Sequence, residues 1–382
     1  MMLNKILRPV FGFMLVSVLL VQTQYSVAGV TAGVPGVWRV EVVDKSRAMD
    51  EGTGGLQYPS LMMGSDGNPR IAYSDSADGI VSKLTYAQKP AAAWITTTVD
   101  GAAGESASLA LTAQNAPRIA YFDFDSDNAL QYRAFDGTAW PQQTVITGFN
   151  SAQTSVDLAL DSAGKPYMAL SSRDGLANYK LSLAVPNGIS WTVEPVDNGA
   201  GSAPSLAVDS ANQVHLSYQN TTSHTLSYAL RTNTGWLTET VGEPDNATII
   251  IKSSLALDAA NTPHIVYVNF LRKELIYAKR INGAWVKEKV GDASQAVTLA
   301  LDKNGEPHIA YIEAGSRQPV YAMRTNNIWI TSTASSDAAE SISLALDAGG
   351  LPVIAYTDFD TSDLKLARLT RNKVYLPLVV RK

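Results

Sequence analysis

Beyond residue 28 the chain alternates apolar and polar residues in short runs, and no long stretch keeps a helical period. Ile265-Val266-Tyr267 and Leu275-Ile276-Tyr277 are typical, each bounded by Gly, Pro, Asn or Asp. Alternation of this length between turn residues predicts β-strands. The runs also repeat. Ser254 to Tyr267 reads S-L-A-L-D-A-A-N-T-P-H-I-V-Y, and is followed by L-I-Y-A-K-R and then G-A-W-V-K-E-K-V. The same unit begins at Ser60, Ser108, Asp157, Ser205, Ser254, Thr298 and Ser343, with starts 44 to 49 residues apart. Nine residues after each start comes Pro69, Pro117, Pro166, Val214, Pro263, Pro307 or Pro352. The seven tryptophans, Trp38, Trp94, Trp140, Trp191, Trp236, Trp285 and Trp329, occupy one place in the unit. A period in the mid-forties with four strands per unit is that of a propeller blade. The expected fold is therefore all-β, a seven-bladed β-propeller over residues 34–370.

The seventh unit lacks a last strand after Leu364 to Arg368. Val37 to Asp44, at the other end of the chain, copies Trp285 to Asp292 closely. Residues 34–46 are thus expected to supply the missing strand and to close the last blade, which removes exposed sheet edges at the seam. Residues 371–382 form a hydrophobic tail that competes for the slot, adds an outer strand or projects. Its Pro377 and its lack of Trp favour the N-terminal strand.

Repeated positions suggest structural jobs. Asp161, Asp209, Asp258, Asp302 and Asp347 precede the first turn and are expected to bond its amides, with Gly64 and Thr112 in the first two units. The Tyr ending the second strand recurs as Tyr73, Tyr121, Tyr218, Tyr267, Tyr311 and Tyr356, with Leu170 in the third unit. These Tyr and Trp positions read as packing between blades. The rival, a ring of sugar-stacking aromatics, requires them to be exposed.

Composition narrows the class. The chain has 382 residues and no cysteine, which excludes disulfides, thiolate nucleophiles and cysteine metal sites. Residues 1–28 have the form of a signal peptide: Lys5 and Arg8, an apolar run from Phe11 to Val21, then Ser26-Val27-Ala28. The run is short for a membrane span, so no stable span is expected after cleavage, although an uncleaved anchor is the alternative. Loss of Lys5 and Arg8 leaves 28 basic against 35 acidic residues, so nucleic acid is not an expected partner. Secretion or display at the cell surface is the expected localisation. Asn220-Thr221-Thr222 and Asn246-Ala247-Thr248 match the glycosylation sequon, a match that chance also explains.

The repeat resembles that of secreted bacterial seven-bladed β-propellers built from S-L-A-L-D-x-x-G-x-P-H-I-A-Y-x-D units. Thr298 to Glu313 comes closest, with Glu313 in place of the last Asp. The resemblance implies a fold and no particular reaction. The end of the tail is similar to the Y-L-P-L-V ends of some exported bacterial proteins. Boxes of the S-x-D-x-G-x-x-W kind, as in sialidase-type propellers, do not occur, and no motif of fucose-binding bacterial propellers carries over.

In such a blade the loops after the second and fourth strands share one rim. The residues just after the second strand are Asp75, Asp123, Ser172, Asn220, Asn269, Glu313 and Asp358. Units seven, one and two become neighbours on closure and bring Asp75, Asp78, Asp123, Asp125, Asp127, Asp358, Asp360 and Asp363, with Asp50 and Glu51 nearby. Arg173, Arg272, Lys273 and Arg317 are expected on the opposite side. An acidic arc suits Ca²⁺ at Asp75, Asp123 and Asp358, a basic partner, or paired carboxylates for glycoside cleavage; a set of solvated Asp turns is the simpler explanation. His215, His264 and His308 recur at one position and read as structural, and no Ser-His-Asp set assembles. The leading expectation is a non-catalytic binding module for an extracellular glycan or protein surface. The alternatives are a carbohydrate-active hydrolase or lyase, with Arg173, Arg272 or Arg317 as clamps, and a structural surface protein.

Overall fold

A computed structural model describes residues 36–45, 56–75, 83–101, 105–123, 128–174, 178–242, 252–269 and 271–371. The signal segment, Asp125 and the tail beyond Arg371 lie outside them. Each repeat folds as inner, second, third and outer strands in antiparallel order. In repeat one these are Leu56–Met63, Pro69–Asp75, Lys83–Gln88 and Ile95–Asp100. One strand, Ala284–Leu301, runs from the outer position of repeat five to the inner position of repeat six and joins their sheets. The only helical turn among the described residues is the 3-10 turn Asp197–Gly199. The proline opening most second strands stands where no ladder donor is needed, which is why the sheet accepts it.

The sheet of the last repeat takes its outer strand from the opposite end of the chain. Val37–Asp44 pairs with Leu364–Thr370, with Val37 opposite Thr370 and Arg39 opposite Arg368. The strand enters through Gly36 at φ 152°, where a Cβ would lie 2.8 Å from the Thr370 carbonyl oxygen. Only glycine allows that approach.

Successive inner strands pack side by side, and Ala339–Leu346 packs on both Ala284–Leu301 and Leu56–Met63. A hydrogen-bond belt follows this contact. In every repeat but the sixth, the first residue accepts the backbone N–H of the leucine that follows the next repeat's first residue. Ser60 Oγ takes that of Leu109 at 2.9 Å, Ser108 that of Leu158 at 3.0 Å, and Asp157 Oδ2 that of Leu206 at 2.7 Å. Ser205 takes Leu255 at 3.1 Å, Ser254 takes Leu299 at 3.0 Å, and Ser343 takes Leu61 at 3.0 Å. A β-strand edge facing another sheet edge-on needs such acceptors, since buried amides without partners cost about 1–3 kcal/mol each.

The cores lie between repeats. Each Trp of an outer strand meets the third strand of the preceding repeat, and Tyr stands there in most repeats. Ring centroids of Tyr86–Trp140, Tyr132–Trp191, Tyr228–Trp285 and Tyr277–Trp329 lie 5.3 to 5.4 Å apart, edge to face. Trp38 meets Tyr321 in the same way at 5.7 Å. Leu183 and Leu366 take the Tyr position in repeats three and seven, beside Trp236 and Trp94. Such a pair adds about 0.5–1.5 kcal/mol beyond area burial. The second-strand tyrosines are fully buried at Tyr73, Tyr121, Tyr218 and Tyr356, so they form no exposed stacking ring.

The turn aspartates do what their recurrence suggests. Asp302 Oδ1, for example, accepts the N–H of Asn304 at 2.8 Å and of Glu306 at 2.9 Å. In repeat one, Gly64 leaves room for Arg70, whose guanidinium pairs with Asp66 at 2.8 Å.

Candidate functional site

The second strands end at Asp75, Asp123, Asn220, Asn269, Glu313 and Asp358, on one rim. Asp358 is buried. Its Oδ1 accepts the N–H groups of Asp360 and Thr361, each at 2.9 Å, and its Oδ2 accepts Lys365 Nζ. The same ammonium reaches Asp337 Oδ2 at 2.9 Å, and Asp337 also accepts the Tyr356 hydroxyl at 2.7 Å. Burial opposes the charge of Asp358, but Lys365 and the turn amides outweigh it and hold the carboxyl below the usual range. The group is thus a satisfied structural carboxylate. Asp123 is likewise buried, Asp75 stands opposite Lys83 in the ladder, and Asp360 is exposed. Among the described residues no three acidic or histidine side chains gather as a metal site, so Asp75, Asp123 and Asp358 are not brought together as one.

The basic residues are not segregated as the sequence suggests. Arg317 lies on the acidic side of the rim, its guanidinium 3.6 Å from the centroid of the Phe359 ring. The loops of repeats six and seven lean on one another: the Ala339 N–H meets the Arg317 carbonyl and the Phe359 N–H meets the Ala338 carbonyl, both at 2.8 Å. Arg272 is exposed beside a cleft of about 210 Å³ that it shares with Asn269, Glu274 and Lys289. Arg173 stands in the second strand of repeat three, opposite Tyr179. At Asn220 the side-chain Nδ2 that glycosylation would use donates to Asp197 Oδ2 at 2.6 Å.

A pairing the sequence reading missed runs around this rim. The second-strand Tyr donates its hydroxyl to an Asp closing the preceding repeat: Tyr73 to Asp44 at 2.5 Å, Tyr121 to Asp100 at 2.6 Å, and Tyr218 to Asp197 at 2.6 Å. Burial and the carboxylate push these hydroxyls well above the ordinary phenol pKa, so they stay neutral donors. The signal was the Asp at the end of the outer strand, visible at Asp44, Asp100 and Asp292.

A second, roomier cleft is on the other rim, between repeats six and seven. It has a volume of about 1010 Å³ and is lined by Asp302, Lys303, Asn304, His308, Asp347, Arg371 and aliphatic side chains that include Met323 and Leu369. Its size has a topological cause. Elsewhere a tight turn such as Asn282-Gly283 joins third and outer strands. In repeat seven those strands come from opposite ends of the chain, so Gly36 and Arg371 stand in the wall instead.

Inside the cleft His308 Nδ1 meets the Tyr321 hydroxyl at 2.5 Å. The equivalent His215 and His264 use their second nitrogen on Asp209 and Asp258, at 3.4 and 3.3 Å. In repeat six Asp302 Oδ2 takes the Asn304 amide at 3.1 Å. Burial lowers the His308 pKa, so the ring is neutral at physiological pH. The arrangement offers carboxylate, amide, imidazole and cationic groups above an aliphatic floor. The Nδ1 of His308 is committed to the phenol of Tyr321.

No helix among the described residues is long and apolar enough to cross a membrane. No protein-family model matches the chain, and no curated protein does. Among solved structures, AofleA from Arthrobotrys oligospora superposes with a TM-score of 0.53 at 10% identity, over 79% of this chain and 90% of that one. An arginine-to-alanine triple variant of AofleA gives 0.52 at the same identity and coverage. The NanB sialidase of Streptococcus pneumoniae gives 0.48 at 10% identity, over 87% of this chain and 70% of that one. At such identity the AofleA likeness is one of fold: this is an all-β, propeller-like chain of four-stranded antiparallel sheets.

Proposed function

We propose that this chain is a seven-bladed β-propeller closed by its N-terminal strand, of the kind found in secreted bacterial repeat proteins. On this reading it is an exported, non-catalytic binding module that takes a carbohydrate or another surface polymer in the cleft between blades six and seven. Closure is supported by the Ser343–Leu61 bond and by a core that joins Val353 and Leu366 of the last repeat to Leu61, Ile71 and Trp94 of the first. Fold alone does not decide the function, since propellers host many. The observation that carries the reading is the cleft itself. About 1010 Å³ is at the upper end of the range for small-molecule sites, and its wall combines hydrogen-bonding side chains with aliphatic ones, which suits the hydroxyls and C–H faces of a sugar.

The test is a glycan array with a broad glycosidase screen on the exported protein, repeated on the Lys303→Ala/Asn304→Ala variant. Binding that weakens at least tenfold in the variant, without turnover, supports the reading. Turnover of a glycoside, or equal binding by the variant, overturns it. N-terminal sequencing of the exported protein tests the signal: a chain beginning just after Ala28 is expected, and retained Met1 counts against export with cleavage.

A further inference from the structure

The inner strands of repeats one and five are not neighbours. Leu56–Met63 packs against the inner strands of repeats seven and two, and Ser253–Leu257 against those of repeats four and six. Yet Lys252 Nζ lies 5.7 Å from the centroid of the Tyr58 ring. A contact between non-adjacent members of a ring must cross its interior, so both side chains stand over the mouth of the central channel.

The backbone explains why Tyr58 points there. Tyr58 and Lys252 each precede the first residue of their repeat by two positions, as do Ser106, Ser155, Ala203, Ala296 and Ser341. Tyr58, Ser106 and Ala203 adopt positive φ there, at 53°, 57° and 49°. The ladder of repeat one slips between Gln57 and Ser60, with similar slips in repeats two and four. Bulges of this kind re-aim side chains at sheet ends. Ser155 and Ser341 bond to second-strand hydroxyls instead, at 2.8 Å. Among the seven residues at this position Lys252 alone is charged.

Lys252 is exposed to solvent, and among the described residues no carboxylate pairs with it. Desolvation lowers the pKa of its ammonium. A cation beside an aromatic ring, with no counter-ion among the described residues, is completed by an anion.

We propose that the channel mouth is an anion-binding site in which Lys252 pairs with one carboxylate or phosphate group and Tyr58 flanks it. The site rests on ring closure and not on the cleft between blades six and seven. Its ligand chemistry, a compact oxyanion, has two sources: the carboxylate of an acidic sugar, or free phosphate.

Calorimetry on the full exported chain with glucuronate, inorganic phosphate and neutral glucose tests it, alongside Lys252→Met and Lys252→Arg. Saturable binding of glucuronate or phosphate, reduced at least tenfold in Lys252→Met and restored in Lys252→Arg, is the expected result. Binding of glucuronate alone assigns the site to acidic sugars, and equal binding of phosphate assigns it to the oxyanion as such. Failure of both anions to bind the parent chain, or equal binding by Lys252→Met, overturns the proposal. Lys303→Ala/Asn304→Ala should bind the anions unchanged, so failure of the cleft reading and failure of this one are separable. A melting temperature of Lys252→Met equal to that of the parent shows that the fold is intact; a lowered one, with anion binding unchanged, makes Lys252 structural and also overturns the site.

Discussion

The hydroxyl of Ser343 accepts the backbone N–H of Leu61 at 3.0 Å, across 282 residues of sequence. The same bond joins Ser60 to Leu109 across 49 residues. Loss of either leaves a strand-edge amide without its acceptor, which costs about 1–3 kcal/mol. Ser343→Ala and Ser60→Ala are therefore expected to lower stability by similar amounts in urea unfolding. If Ser343→Ala alone is silent, the contact between the first and last repeats is not a structural joint.

Deleting residues 34–46 removes the strand opposite Leu364–Thr370 and the Trp38 ring that meets Tyr321. It also removes Asp44, the acceptor of the Tyr73 hydroxyl. A sharp fall in melting temperature is expected, together with a rise in aggregation at the exposed edge. Unchanged melting by calorimetry would remove the case for closure.

Lys365 neutralises Asp337 and Asp358 together. Lys365→Met should destabilise the chain by about 3–5 kcal/mol, because it strands a buried carboxylate. Asp358→Asn in that background should recover part of the loss. By contrast Asp360→Asn, on the exposed tip of the same loop, should change stability by less than about 0.5 kcal/mol. Chemical denaturation of the three variants separates a structural Asp358 from a ligand-holding one.

Burial lowers the pKa of His264 to about 4, and His215 and His308 shift the same way. A histidine depressed in the folded state stays neutral while the unfolded chain takes up a proton. Its contribution is full above the unfolded value near 6.5 and is lost as pH falls toward 4. By linkage His264 accounts for about 3 kcal/mol across that window. The expected result is a steady loss of stability from pH 6.5 to pH 4, flatter in His264→Gln; equal slopes would show that another group controls the acid limb.

The indole N–H groups of Trp94 and Trp191 are buried without an acceptor, whereas those of Trp285 and Trp329 reach Glu239 and Glu288 at 3.1 and 3.2 Å. Replacement by Phe should thus cost less at Trp94 and Trp191 than at Trp285 and Trp329, by about 1–2 kcal/mol in thermal unfolding. Equal losses at all four positions would mean that packing area alone sets the value of these rings.

How much of this was legible in the chain depends on what each residue answers to. Pro263, Asp258 and Trp285 obey local rules of strand start, turn and packing, so recurrence at a fixed spacing exposed them. The copy of Trp285 to Asp292 at Val37 to Asp44 likewise pointed to the strand that pairs with Leu364–Thr370. The rim was harder to read. Asp358 looked like a ligand because its neighbours in sequence are acidic, but Lys365, seven residues on, folds back on it through a hairpin. Arg317 belongs to a different repeat from the acidic loops, yet the loops of adjacent repeats touch.

Alternation, turn residues and period determined by themselves that this chain forms repeated antiparallel strands, because those features depend on residues a few positions apart. Which charges are neutralised, why the first residue of every repeat is polar, where a cleft opens and that Lys252 faces Tyr58 were decided only by the tertiary structure. Each depends on side chains from different repeats meeting at one point, and the distance between them in space is set by how the sheets pack around the inner strands.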